Sequence, residues 1–318
     1  MRATTPYDPW RHRYALAVVG ATVLLLVAGG LVTSTGSGLA VPDWPLSFGQ
    51  VFPKMQGGVL FEHGHRMVAS LVGMLIVGLA IWFGRREPRR PVRNLAFTAL
   101  ALVVTQGILG GITVLLKLPT IVSVTHACLA QIVFCVVVSL AVVTSRRFSG
   151  VEGDTSPVPR SLAILGAVAA GATFAQVILG ALMRHTGAGL AIPDVPLAFG
   201  RVVPPLLSFE IAVHFAHRVM ALVVAALVFA LAFRCAPLRS HPEIAVPARL
   251  AVTFVLLQIL LGGATVLTKL AVVPATLHVV TGALLLASLL TVTLFAYRFR
   301  AAAVPAGVAH GTASQATA

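Results

Sequence analysis

Four of the ten histidines, His65, His126, His217 and His278, share a register that sets them apart. An offset of 152 residues carries His65 onto His217 and His126 onto His278. Each lies within the first two turns of a long apolar stretch. At about 1.5 Å of rise per residue, the four imidazoles should therefore form one layer beneath one membrane face. An ionisable group inside a membrane segment marks a functional site by default. For a single histidine the bland alternative is an interhelical hydrogen bond, but two pairs at a common depth favour one cofactor per pair. Imidazole suits zinc, copper and iron. Zinc wants four ligands around one ion, whereas two neutral imidazoles without a cysteine or carboxylate cage suit a haem with two axial ligands. The residues point to two haem sites, one at His65 and His126, the other at His217 and His278.

The neighbours of these histidines break the symmetry. Glu62 stands three residues before His65 in FEHGHR, and the matched run VHFAHR carries His214 there instead. Positions i and i+3 share a helix face, so Glu62 is expected to approach the ligand that His65 holds. There it could orient a substrate, relay protons or stabilise a developing cation. The alternative is an exposed acid favoured by the helix N-terminus. His63 is expected to face the loop. Arg66 and Arg218 follow their histidines at the outer boundary, where snorkelling to headgroups and a fork onto haem propionates are compatible readings. His12, His241 and His310 sit in terminal or inner segments and read as ordinary solvated residues. One half would hold a permanent haem and the other a haem on which reaction occurs; Glu62 marks the first half for the reaction.

The elements that must position these groups are membrane spans. Of 318 residues, 58% are apolar and 10% charged, against roughly 45–50% and 25% in soluble domains. Eight apolar stretches, near 14–33, 64–83, 95–116, 122–144, 162–183, 211–233, 250–268 and 275–297, are each long enough to span. The first also resembles a secretory signal, but cleavage would destroy the internal symmetry, so an uncleaved helix is expected. The net charge of +14 reads as loop topology rather than nucleic-acid binding. The termini and the loops on their side hold 16 basic residues and the opposite loops five, which puts both termini in the cytoplasm. Three scattered cysteines make no disulfide scaffold; Cys128 and Cys135 read as small core fillers.

The halves repeat. GSGLAVPDWPLSFG at 36–49 and GAGLAIPDVPLAFG at 187–200 agree at 10 of 14 positions with an offset of 151. Offset 152 also takes Gln106 to Gln258, Gly110-Gly111 to Gly262-Gly263 and Lys117 to Lys269. Four spans per half is an even number, so the repeats run the same way. The expected fold is an all-α integral membrane protein, with eight transmembrane helices as two tandem four-helix bundles related by a pseudo-two-fold along the membrane normal. The expected units are 1–150, 151–298 and a disordered cytoplasmic tail at 299–318. The duplicated loops are either lids over a haem edge or structural turns, with Asp43 and Asp194 as turn formers. Trp44 against Val195 fits a substrate-facing role in the first half. Gln106, Gln258 and the glycine pairs read as helix packing.

These motifs resemble those of the haem A synthase family, over nearly the whole chain. The resemblance implies oxidation of a ring methyl of haem O to a formyl group by successive hydroxylations, giving haem A for terminal oxidases. It further implies that His65 and His126 flank the substrate haem, that His217 and His278 ligate a resident haem b, and that Glu62 is the catalytic carboxylate. Haem O synthase and terminal oxidase assembly are the implied partners, with a membrane electron donor that the sequence does not name; a homo-oligomer is compatible. Many members carry two cysteines in the first outer loop, near positions held here by Ala40 or Val41 and by Ser47, so a thiol redox step there is unavailable to this chain. Abundant Arg, Ala and Val with little Lys suggests a GC-rich bacterial source and a plasma membrane. Competing readings are a two-haem electron-transfer protein, a haem carrier or oxidase assembly factor, and a transporter built on a parallel repeat; the outer clustering of polar residues ranks the transporter last.

Overall fold

A computed structural model describes residues 7–150 and 156–300. Among them the regular structure is helical: α1 (Pro9–Ser34), α2 (Gly58–Arg86), α3 (Arg90–Leu115), α4 (Thr120–Val143), α5 (Arg160–His185), α6 (Phe209–Cys235), α7 (Pro242–Leu267) and α8 (Val272–Phe299), with a short 3-10 turn at Ala188–Leu190. All eight α-helices are long and apolar enough to cross a membrane. Helix is the required choice there, because lipid offers no partner to a backbone N–H or C=O. The same requirement explains why the helices outrun the apolar stretches. Thus α2 begins at Gly58 and takes Glu62 and His63 into its first turns. At α1, Asp8 caps the start by accepting from the Trp10 and Arg11 amides, and Pro9 takes the first position.

The helices close into two rings. In one, α1 packs on α2, α2 on α3, α3 on α4 and α4 back on α1; α5 to α8 repeat that order. The rings meet through α1, α4, α5 and α8. Helix α8 lies at this seam and is the most enclosed, whereas α3 and α7 turn most of their surface outward. Leu285, Leu289 and Val292 of α8 join Val133, Val137 and Leu140 of α4 in the buried core. Close approach at the seam uses small residues: a Cβ on Gly30 would stand 3.1 Å from the Thr276 methyl. Leu24, Met74, Ile121, Leu222 and Phe233 project outward, an apolar perimeter that suits lipid.

At the end bearing the termini, charges are paired. Glu87 accepts from Arg11 and Arg89, both at 2.6 Å. Burial raises the Glu87 pKa, but the Arg89 hydrogen bonds and the two guanidiniums outweigh it and hold the carboxyl below its usual range. His241 departs from its expected solvation: it is 2% exposed, 3.1 Å from Glu243 Oε1 and 3.1 Å from Ser156 Oγ. Glu243 also accepts from Arg147 at 3.0 Å. A charge drawn under the loops needs partners, and His241 supplies one. His12 is half-buried, with Nδ1 3.4 Å from Thr144 Oγ1. His310 and the tail from 301 onward lie outside the described residues.

Candidate functional site

Each of the four matched histidines lies seven to nine residues into an even-numbered helix and leans on a glycine of the preceding helix. A Cβ on Gly29 would stand 3.2 Å from His65 Cε1, and one on Gly110 3.2 Å from His126 Cε1. Gly180 gives 3.1 Å to His217 and Gly262 gives 3.2 Å to His278. Only a missing side chain lets the rings seat so close. In all four, Nδ1 is buried without a hydrogen-bond partner. A buried unpaired polar atom costs about 1–3 kcal/mol. This nitrogen lies on the ring edge that packs on the glycine, 3.5–3.8 Å from the would-be Cβ, while Nε2 of His126 and of His217 meets a glutamine amide at 3.4 and 3.2 Å.

The second pair can be measured. The rings of His217 and His278 stand 6.3 Å apart, centroid to centroid, with planes at 61°. A metal–imidazole bond is about 2.0–2.1 Å, so two imidazoles on opposite sides of one ion have ring centres about 6 Å apart. The observed separation therefore fits one iron between them. Among the described residues, no three His, Cys, Asp or Glu converge as a metal cage would. The donor set thus fits the two-imidazole ligation of a haem better than an ion held by protein alone.

The outer loops clamp these helices. Asp43 accepts from Phe48 N at 2.7 Å and Gly49 N at 2.8 Å, and Asp194 repeats this with Phe199 and Gly200. These turn-forming roles agree with the sequence reading. The donors from Gly49 and Phe48 hold the Asp43 carboxyl below the ordinary value of 3.8, as Gly200 and Phe199 do for Asp194. Glu62 is 3% exposed, which overturns the exposed-acid alternative. Its Oε2 accepts from Val41 N at 2.8 Å and its Oε1 from Arg66 at 2.7 Å. Arg66 also donates to the carbonyls of Asp43 (2.7 Å) and Leu46 (2.9 Å). Arg218 donates to Leu197 O and Ile192 O. Both guanidiniums thus tie loop to helix, a partnership that neither snorkelling nor propionate pairing anticipated. At the Glu62 position of the second half, His214 accepts from Ile192 N at 3.3 Å. One N–H anchor is kept; the carboxylate and its ion pair belong to the first half alone. His63 faces the loop as expected, with Nδ1 2.8 Å from Ser47 Oγ.

Three glutamines complete the histidine sites. Gln106 Nε2 donates to His126 O at 3.0 Å and Gln258 Nε2 to His278 O at 2.6 Å, the interhelical packing role expected of them. Gln176 does the same for His217 at 2.9 Å. Gln176, Gly29 and Gly180 went unnoticed in the sequence. A visible signal was the Gln-x-x-x-Gly spacing, repeated at 106–110, 176–180 and 258–262.

Fold and site together define a polytopic helical membrane protein with four glycine-cradled histidines, one on each even-numbered helix. Residues 55–290 match the family model described as cytochrome oxidase assembly protein, COX15-CtaA. The haem A synthase of Shouchella clausii is 34% identical over 252 residues, covering 77% of this chain and 83% of the relative. That of Halalkalibacterium halodurans is 31% identical over 88% of this chain and 94% of its own. That of Geobacillus kaustophilus is 31% identical over 92% and 93%. The chain belongs to this family, that of the haem A synthases.

Proposed function

We propose that the chain is an oxidoreductase that converts haem O to haem A, with haem O held between His65 and His126 and a resident haem b between His217 and His278. The observation that carries the reading is the pair of imidazoles, His217 and His278, with ring centres 6.3 Å apart. When bound, the resident haem supplies one-electron transfer. The protein's part is ligation, position and exclusion of water. His217 and His278 hold the resident iron from two helices, each braced by a glycine behind the ring and a glutamine on its carbonyl.

In the first half, His65 and His126 hold the substrate and the loop at 36–49 covers it. Successive hydroxylations turn one ring methyl into a formyl group, so that carbon must be fixed while the macrocycle stays in place. Glu62 is the carboxylate assigned to this step. The Val41 N–H and the Arg66 guanidinium hold it against the loop, where a carboxylate is suited to stabilising positive charge that develops on the substrate. Arg66 and Arg218 are assigned to propionate contacts at the loop edge.

The 16-to-five distribution of basic residues supports a bacterial plasma membrane orientation with both termini in the cytoplasm and the histidine layer toward the outer face. A haem O synthase supplies the substrate and terminal oxidase assembly consumes the product. Co-expression with a haem O synthase under air, followed by chromatography of extracted haems, tests the reading. Haem A or its hydroxylated precursor is expected. A wild-type chain that yields neither overturns the reading.

A further inference from the structure

Behind each of the four histidines the preceding helix supplies a cradle glycine, and behind three of them a glutamine as well. At three, a glutamine of the preceding helix donates to the histidine's own carbonyl: Gln106 to His126, Gln176 to His217 and Gln258 to His278. Each carbonyl also belongs to its helix, where residue i+4 donates to it. That residue is small each time, Ala130, Ala221 or Gly282, which gives the amide room. A Cβ on Gly282 would stand 3.5 Å from the Gln258 amide nitrogen. Each glutamine precedes its cradle glycine by four residues. Counting four back from Gly29, the cradle of His65, reaches Leu25. Ala69 still supplies the small residue on α2, but leucine has no amide to donate.

We propose that the glutamine bond fixes the ligand-bearing turn, and that Leu25 leaves His65 the one ligand of the four free to let go. His65 is then the releasing ligand, through which the first site takes in substrate haem and discharges product. Both members of the resident pair, His217 and His278, carry the glutamine, and so does His126. A substrate site must exchange its haem and a cofactor site must keep it, and the glutamines follow that division. Gln106, Gln176 and Gln258 are positioning residues. This proposal rests on the reading that both pairs ligate haem.

Two measurements on the full-length protein in detergent test it. Amide hydrogen exchange over 65–70 is expected to run about three- to tenfold faster than over 126–131, 217–222 and 278–283, the effect of one interhelical hydrogen bond. Leu25→Gln should bring 65–70 into line. Haem transfer from the loaded protein to apomyoglobin should show a fast and a slow phase. Leu25→Gln slows the fast phase by a similar factor, and Gln176→Leu speeds the slow one. Equal exchange at all four turns overturns the proposal, as does an unchanged fast phase in folded Leu25→Gln. Should Leu25→Gln not fold, Gln176→Leu decides alone, and an unaltered slow phase overturns it. A purified protein with no Soret band defeats the haem reading itself; two bound haems released at one rate defeat only the present proposal.

Discussion

The indole of Trp44 fills the space in which a side chain on Gly111 would begin, its Cδ2 lying 2.6 Å from where a Gly111 Cβ would stand. Gly111 adjoins Gly110, the cradle of His126, so the first outer loop reaches down to the helix against which His126 packs. In the second half Val195 makes only an ordinary contact, 3.6 Å from the same point on Gly263. Trp44→Val should therefore lower haem A formation by about tenfold or more through lost positioning, while the resident haem spectrum is retained. Gly111→Ala should act the same way by expelling the indole. Haem chromatography beside absorption spectra of the purified variants checks both.

Glu62→Ala removes the partner of both Val41 N–H and Arg66. It should stop product formation, keep the resident haem spectrum and cost about 1–3 kcal/mol of stability. Glu62→Gln keeps an acceptor for Val41 but loses the charge opposite Arg66. For a carboxylate that acts on the substrate, product should fall about 10²-fold. Near-normal turnover in Glu62→Gln would reduce Glu62 to an anchor for the loop.

His217→Ala and His278→Ala should each abolish the low-spin haem signal of protein purified without haem O. His65→Ala and His126→Ala should leave it in place and block haem A formation. Optical and electron paramagnetic resonance spectra separate the cases, and a signal lost only with the first-half variants would reverse the assignment of halves.

The glycine cradles make a steric prediction. In Gly180→Ala the new Cβ comes 3.1 Å from His217 Cε1, and in Gly262→Ala 3.2 Å from His278 Cε1. Either ring must yield a few tenths of an ångström, with about 1–3 kcal/mol lost to overpacking and lower resident haem occupancy. Gly171, on the same α5, has nothing within 4 Å of its would-be Cβ. Gly171→Ala should be neutral or gain about 0.5–1 kcal/mol. Thermal unfolding and haem content give the contrast.

The loops should resist acid. Asp43 and Asp194 are held below their ordinary value of 3.8 because the ionised form accepts two backbone N–H groups. The stabilisation is fully present above pH 3.8 and disappears only as pH falls through the depressed folded-state values. Trp44 fluorescence, in a Trp10→Phe, Trp82→Phe background, should hold steady down to that pH and change below it. Asp43→Ala should give the changed signal at neutral pH.

Eight spans, the tandem repeat and the histidine register were all legible in the chain. Span length follows from bilayer thickness, and a duplication is a property of the sequence along its own axis. The reading faltered where contacts cross helices. His241 looked like a surface residue, yet Glu243 and Ser156 take its two ring nitrogens and Phe299 lies beside the ring. Glu62 was placed toward the ligand by its spacing from His65, yet its two oxygens meet Val41 and Arg66, a loop 21 residues back and a side chain one turn on. Gln176 lay in plain view, but its bond to His217 exists only because α5 lies beside α6.

What the sequence by itself determined is the depth of each group along its helix: the rise per residue is constant, so position in the chain becomes height in the membrane. What only the tertiary structure decided is azimuth and partner. Rotation of a helix about its axis is set by the side chains that interlock with its neighbours, and those neighbours are chosen by packing of the whole bundle. Hence the glycine behind each imidazole, the 6.3 Å between His217 and His278, and the missing amide at Leu25 became visible only when the helices stood side by side.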